Sequence, residues 1–402
     1  MIRTVTSDPA ALREADLPPR EPRGQTRVLF LTFGRMGFAT LGRYLERYSA
    51  SRGELDAVHV KLLPTPVMSV AGASLPELRR SSWDFHNHRN MMLWGARVRA
   101  WLQGPLDLRR FDVIHVTTQH FAAGVASVLD RVKDGPRFIV QIDATAPLMQ
   151  RELGMASVPS KLLARAERRV FERADAIECW SNWALASVRD DFGLGDRAVL
   201  ARPGLALSEA PACGENQGAS VPEPDRPRLI WVGLNWKRKG GPRLLRWHQD
   251  RWAARGVELH VVGIHASQVR GTRVFAHGPV PHDELIRDHL RAGDIFVMPT
   301  EKDTLLLAAV EASSRGLAVV TSDLAGLRES VIHERTGLLC PVRDDDAFIG
   351  AIDRLLSDHD LRRTLGREGA RYARAEWDAA MWYPKLMERL GETKRRRDAE
   401  TK

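Results

Sequence analysis

Residues 229–241 read Leu-Ile-Trp-Val-Gly-Leu-Asn-Trp-Lys-Arg-Lys-Gly-Gly. Their order is that of a buried strand running into a turn. The apolar run 229–232 stops at Gly233, the cations Lys237, Arg238 and Lys239 follow, and Gly240 and Gly241 close the turn before a helix-like stretch. A short continuous apolar run bounded by glycine suits a strand covered on both faces, as in a parallel sheet flanked by helices. Glycines let a backbone approach a ligand closely, while a guanidinium offers a fork of donors and an ammonium a point charge, both suited to phosphate oxygens. A solvated basic turn would carry the same charges; the place directly after a strand, between glycines, favours phosphate. The segment is neither a Walker P-loop nor a G-x-G-x-x-G fingerprint, so by itself it names no fold.

Working outward, apolar runs of the same kind recur at 258–263, 295–298 and 317–321, and before the central region at 27–33, 58–63, 113–117, 138–142 and 176–179. Helix-like segments lie between several of them, which gives alternating β and α. Residues 208–226 collect Pro, Glu, Gly, Ser and Asn and read as a linker. Residues 1–25 are polar and rich in Pro and Arg, and read as a flexible leader. The expected organisation is therefore an acceptor-side domain over 26–207, the linker 208–226, and a nucleotide-binding domain over 227–375. A crossover helix over 376–391 and a basic tail over 392–402 complete it. Both domains are expected to be doubly wound parallel sheets, in which ligands bind beyond the carboxyl ends of the strands where strand order reverses.

At 402 residues the chain exceeds one ordinary core, and 44% hydrophobic with 28% charged residues is globular composition. No run approaches the roughly 18 apolar residues of a spanning helix. Asp8, Glu14 and Asp16 interrupt the N-terminal region, which does not read as a secretory signal. Three scattered cysteines, Cys179, Cys213 and Cys340, fit neither a disulfide framework nor a metal cluster. A cytoplasmic protein, peripheral at the inner membrane face if anchored at all, is expected, with no metal site. The net charge of +9 admits polyanionic partners. No nucleic-acid-binding motif accompanies it, and Lys394-Arg395-Arg396-Arg397 reads as a solvated tail; nucleic acid is not an expected partner.

A second post-strand segment lies at 294–312. Its strand ends at Pro299, and a helix is expected from near Asp303 or Thr304, with its first amides turned to an anion. Glu311 lies inside that helix among Ala308, Ala309, Val310 and Ala312. A carboxylate among apolar residues needs a partner or a ligand; an exposed Glu paired with a Lys or Arg is the alternative.

Together these segments resemble the retaining GT-B glycosyltransferases of family four, the group 1 type, which includes sucrose synthases, bacterial glycogen synthases and phosphatidylinositol mannosyltransferases. Arg238-Lys239-Gly240 matches the family's basic element, and Asp303, seven residues and Glu311 match its acidic pair, with Asp in place of the usual first Glu. Residues 319–321, 326–329 and 336–339 look like the next strand, loop and hairpin, and 275–285, with Gly278, looks like the base-binding loop and following helix. The resemblance implies a GT-B fold: two facing Rossmann-like domains with a C-terminal crossover helix. It implies that Arg238 and Lys239 neutralise the leaving diphosphate, that Glu311 holds the ribose hydroxyls and that Asp303 faces the donor sugar. Gly233, Gly240, Gly278, Thr304 and Leu305 would line the nucleotide-sugar site. Two departures stand out. Thr304-Leu305-Leu306 replaces the usual Gly-Phe-Gly, and Ala325 replaces one of two frequent glycines.

In the first half, Gly34-Arg35-Met36-Gly37 follows the first strand, where the family keeps a glycine-bearing loop near the reaction centre. Gly37 and Arg35 are candidates for donor or acceptor phosphate; an ordinary tight turn reads the same. Thr117-Thr118-Gln119-His120 and Asp143-Ala144-Thr145 close two further strands. The family commonly places a histidine at the latter position. His120 is a candidate catalytic group or a structural histidine, and Asp143 a candidate catalytic group or the N-cap of the next helix. Residues 83–102 place Met91, Met92, Leu93, Trp94, Val98, Trp101 and Leu102 beside arginines. That pattern is a helix packed on the sheet or, alternatively, an interfacial helix for a lipid-linked acceptor.

The resemblance implies metal-independent transfer with retention, from a UDP- or GDP-linked sugar to a glycan, lipid or small-molecule acceptor, in polysaccharide or glycolipid biosynthesis. The nucleotide-diphosphate sugar is a co-substrate and no cofactor is expected. A sugar-nucleotide epimerase or phosphorylase on the same fold, or a non-catalytic scaffold, are the alternatives.

Overall fold

The structure, a computed structural model, describes residues 3–6, 25–34, 37–51, 53, 55–71, 86–104, 106–154, 158–207 and 227–400. The chain divides into two compact units, Met1–Gly204 with Ala379–Lys402, and Leu205–Asp378. The linker expected at 208–226 lies outside the described residues.

The first unit runs β1 (Arg3–Thr6), β2 (Thr26–Phe33), α1 (Gly37–Ala50), β3 (Leu55–Leu62), α2 (Pro66–Ala71), α3 (His86–Leu102), β4 (Val113–Val116), α4 (Gln119–Leu129), β5 (Arg137–Ile142), α5 (Ala146–Leu153), α6 (Val158–Arg173), β6 (Ala176–Cys179), α7 (Asn182–Phe192) and β7 (Ala198–Leu200). Its seven strands lie in the order β1-β3-β2-β4-β5-β6-β7, each pair parallel. Residues 3–6 thus differ from the flexible leader expected: a Thr-Val-Thr run of β-branched residues pairs with the free edge of β3. The reversal of order falls between β2 and β4.

Every residue of β4 and nearly all of β2 is buried, as both faces of a parallel sheet must be. Helix α3 spends its apolar residues inside: Met91, Trp94, Val98, Trp101 and Leu102 are buried in the core, and among the large ones Met92 is exposed. Gly124 of α4 makes this packing close, since a Cβ there would stand 2.4 Å from Gly95 O of α3. The helix packs on its own unit, and its apolar stripe does not form an interfacial face. Among the described residues, no helix is long and apolar enough to cross a membrane.

The second unit runs β8 (Leu229–Val232), α8 (Gly241–Trp247), β9 (Leu259–Val262), β10 (Val274–Gly278), α9 (His282–Glu284), β11 (Ile295–Met298), α10 (Leu307–Ser314), β12 (Ala318–Ser322), α11 (Leu327–Ser330), β13 (Gly337–Cys340), α12 (Asp345–Ser357) and α13 (His359–Trp377). All six strands are parallel, in the order β10-β9-β8-β11-β12-β13. In order of appearance that is 3-2-1-4-5-6, the Rossmann arrangement, with its switch point between β8 and β11. Trp231, Trp252, Phe296, Phe348 and Trp377 are fully buried, each contributing roughly 1.5–3 kcal/mol. Asp294, at 0% exposure, accepts from the backbone N–H of Arg228 at 2.9 Å and from its guanidinium at 2.8 and 2.6 Å, which ties the start of β11 to that of β8.

The last helix, α14 (Ala379–Glu400), belongs to the first unit. Tyr383, Leu386, Met387 and Leu390 are buried, and Arg389 donates to Glu178 Oε1 at 3.0 Å. The chain breaks at Asp378, inside the span 376–391 expected as one helix: residues 376–377 end α13, and α14 starts at Ala379 and continues into the stretch expected as a basic tail.

Candidate active site

The switch point of the second sheet brings two post-strand loops together. The loop after β8 is folded by its own aromatics: Trp236 meets Trp231 edge-on at 4.9 Å and lies over Gly241, where a Cβ would stand 2.0 Å from the indole. Gly240 has φ +73, and its Cβ would lie 1.9 Å from Pro299 O. Only glycine fits there, because the backbone of the first loop rests on the end of β11. Gly233 is close-packed too: a Cβ there would reach 2.9 Å from Lys239 Cδ. The buried Trp231 donates through Nε1 to Lys239 O at 3.1 Å, so strand and loop hold the lysine between them.

The second loop completes the cluster. Thr300, fully buried, donates through Oγ1 to the carbonyls of Arg238 and Lys302 at 3.3 Å. Arg238 donates to Lys302 O and stands 3.4 Å from Asp303 Oδ2, and Lys239 Nζ stands 3.7 Å from the same oxygen. Burial holds the Lys239 ammonium below the ordinary lysine value, and Asp303 pulls it back up. These are loose charge contacts, longer than a hydrogen bond. An exposed Arg238 and a half-buried Lys239 sharing one carboxylate leave positive charge over, and that suits an anion.

The helix after β11 begins at Leu307, later than the 303–304 expected. Leu305 and Leu306 go into the core, at 9% and 1% exposure, and Asp303 Oδ1 accepts from the amide of Thr304 at 3.2 Å. Both hold 303–306 out of helical geometry. Gly326 backs onto this loop, since a Cβ there would stand 2.4 Å from Thr304 O. Beside it Ala325 has φ +48, a conformation that glycine adopts freely and that costs alanine about 1–2 kcal/mol. The departure from the resembled pattern is therefore carried as backbone strain.

Glu311, in the second turn of α10, is 8% exposed and does not sit on an exposed stripe. Its Oε1 lies 2.7 Å from Nε2 of His282, at the start of α9, and its charge also favours the Lys239 ammonium. Gly278 ends β10 at φ +71 beside a bulge in the β9 pairing, and its amide donates to Ile264 O at 3.1 Å. The second unit thus unites Gly233, Arg238, Lys239, Gly240, Asp303, Thr304, Leu305 and Glu311 around its switch point.

In the first unit Gly37 opens α1, and Arg35 lies outside the described residues. His120 is half-buried in the first turn of α4; its Nδ1 lies 3.1 Å from Thr118 Oγ1, which caps the helix by accepting from the His120 amide. The N-cap of α5 is Thr145, whose hydroxyl accepts from Leu148 N at 3.4 Å, so Asp143 is not that cap. Behind both loops stands Glu167 of α6, at 1% exposure. Its Oε2 accepts from Ala146 N at 2.8 Å and its Oε1 from Gln119 Nε2 at 3.2 Å, while Gln119 also donates to Ala144 O at 2.9 Å. Burial pushes the Glu167 carboxyl up to about 7 against those hydrogen bonds, with Asp143 adding to the rise.

Sequence reading missed His282 and the clamp made by Glu167. The signal for His282 is its place just after Pro281, beyond the carboxyl end of β10; Glu167 stands in an Arg-rich segment with no local signal of its burial.

Comparison with known proteins places this geometry. The family described as Glycosyl transferases group 1 matches residues 226–358. The D-inositol 3-phosphate glycosyltransferase of Geodermatophilus obscurus is 37% identical over 345 residues, covering 80% of this chain and 70% of that protein. The GDP-mannose-dependent alpha-(1-6)-phosphatidylinositol monomannoside mannosyltransferase of Mycobacterium tuberculosis is 26% identical over 362 residues, covering 84% and 89%. The solved structure of sucrose-phosphate synthase from Thermosynechococcus elongatus matches 94% of this chain and 100% of its own with a TM-score of 0.67 at 18% identity, a likeness of fold. The fold class is GT-B.

Proposed function

The chain belongs to the group 1 glycosyltransferases, and from that premise we propose that it moves a hexose from a nucleotide-diphosphate sugar to a hydroxyl acceptor with retention. The observation that carries the donor reading is the cluster at the switch point of the second sheet: Arg238 and Lys239 beside Asp303, with Glu311 one helix away.

Departure of a nucleoside diphosphate places growing negative charge on the bridging phosphate oxygen. Arg238 and the partly desolvated Lys239 are fixed donors for that charge, and fixed donors in a low-dielectric pocket do not have to reorganise as the bond breaks. They supply the charge that a metal would otherwise bring. The glycosidic C1–O bond breaks, the acceptor oxygen bonds to C1 on the same face, and the acceptor's proton passes to the departing phosphate. Asp303 balances the cations and faces the sugar, and Glu311 meets the ribose. In the first unit His120 and Asp143, on the loops after β4 and β5, are proposed to meet the acceptor or the transferring sugar.

The names of the two relatives support a phosphate-bearing polyol or its lipid as acceptor, and that of the mannosyltransferase a GDP-linked donor; the net charge of +9 agrees with an anionic acceptor. Incubating the enzyme with a panel of nucleotide sugars, with and without inositol phosphates, lipid acceptors and glycans, tests the proposal. Product anomers read by NMR should match the donor. Lys239→Ala should lower turnover about 100- to 1000-fold, the size of effect seen when a donor to transition-state charge is removed, with little change in unfolding midpoint. Wild-type turnover in that variant, or inversion at C1, would count against it.

A further inference from the structure

The carboxylate of Glu311 is held before any donor arrives. Its Oε1 lies 2.7 Å from His282 Nε2, and the two residues stand 29 positions apart on α10 and α9. An ionised carboxylate only accepts hydrogen bonds, so Nε2 carries the proton and donates. The carboxylate is the more buried partner, at 11% side-chain exposure against 30% for the imidazole.

The torsion that turns a glutamate's carboxylate is broad and weakly restrained. One firm hydrogen bond to one oxygen therefore sets the plane of the whole group. A competing pull exists, because the Glu311 charge also acts on the Lys239 ammonium. Left to that attraction, the carboxylate would turn towards the cations that the diphosphate needs. His282 opposes that pull from α9, on the segment that follows β10.

We propose that His282 is a positioning residue for the donor's ribose: by holding Glu311 Oε1 it aims the other oxygen at a ribose hydroxyl and keeps the carboxylate off Lys239. This deepens the donor reading above and rests on it. His282 acts through Glu311, so its contribution exists only when the nucleotide has a hydroxyl for Glu311 to accept from.

The test is a cycle between protein and nucleotide. Wild type, His282→Ala and His282→Gln are titrated calorimetrically with UDP and GDP and with their 2′,3′-dideoxy counterparts, and each variant's melting temperature is recorded without nucleotide. The expected result is a loss of about 5- to 10-fold in ribonucleotide affinity for the alanine variant, the scale of one ordinary hydrogen bond. The glutamine variant, whose amide still donates, recovers most of it. The dideoxy nucleotide binds wild type more weakly and loses nothing further in His282→Ala. An equal loss for both nucleotides overturns the proposal, since His282 would then touch base or phosphate itself. So does unchanged affinity in His282→Ala, while wild-type binding leaves the donor reading intact. If wild type binds neither UDP nor GDP, the donor reading and this inference fall together.

Discussion

Glu167 shows how much chemistry one side chain can hide in a helix that looks like surface. Its neighbours Arg165, Arg168 and Arg169 give α6 a charged character, yet Glu167 turns inward and accepts from Ala146 N and Gln119 Nε2. Burial pushes its carboxyl up from the ordinary 4.5 to about 7. The folded state therefore binds this proton more tightly than the unfolded chain does. The associated stability is complete below about pH 4.5, falls as pH rises towards about 7, and is flat above. A shift of that size corresponds to on the order of 3 kcal/mol. Glu167→Gln, neutral at every pH, should lack this slope: the difference in urea midpoint between wild type and variant should grow in the variant's favour from pH 5 to 7.5. A constant difference over that window would show that Glu167 does not titrate there.

At the scale of elements, the cluster proposed as the donor site exists because two loops meet where strand order reverses. Gly240 is the point of contact, with φ +73 and no room for a Cβ against Pro299 O. Gly240→Ala should force the loops apart, costing at least about 1–2 kcal/mol for the left-handed backbone alone and more for the clash. Nucleotide titration should show binding lost, and urea unfolding a lower midpoint. Wild-type values in both would mean the loop after β8 does not rest on the end of β11. The same pair of loops explains the late start of α10. Leu305 and Leu306 are good helix formers by propensity, but the core takes their side chains, and the helix waits until Leu307.

At the scale of the molecule, the first unit is made of two stretches of chain far apart in sequence. Its sheet comes from β1 to β7, and α14 returns after the second unit to cover part of it. Glu178, fully buried on β6, lies between His115 Nε2 at 3.0 Å and Arg389 at 3.0 Å, and these partners hold its carboxyl below the usual range despite burial. Tyr383 stacks on Tyr48 of α1 at 4.9 Å. Ending the chain after Asp378 should therefore unfold the first unit or lower its melting temperature by several degrees, because it strips an apolar face and leaves a buried carboxylate short of a cation. Ending it after Gly391 keeps Arg389 and Leu390 and should melt as the full chain does. Equal melting of both truncations would show that α14 contributes nothing to the unit it joins.

Some of this was fixed by local chemistry and could be read from the chain. The apolar runs ending in glycine or polar turns mark strands of parallel sheets because burial on both faces leaves no room for alternation. Gly233, Arg238, Lys239 and Gly240 form the glycine-flanked basic loop proposed to meet an anion, legible because they are neighbours in sequence, and Asp303 and Glu311 stand at a spacing that resembles a family. Tertiary structure decided what depends on residues distant in sequence. Which strands flank the switch point, that Glu311 is held by His282, that Glu167 faces inward, that Thr145 rather than Asp143 caps α5, and that Ala325 bears strain are outcomes of packing. A burial or a hydrogen bond between distant segments has no local signature, since the energy that sets it belongs to the contact and not to either stretch of sequence.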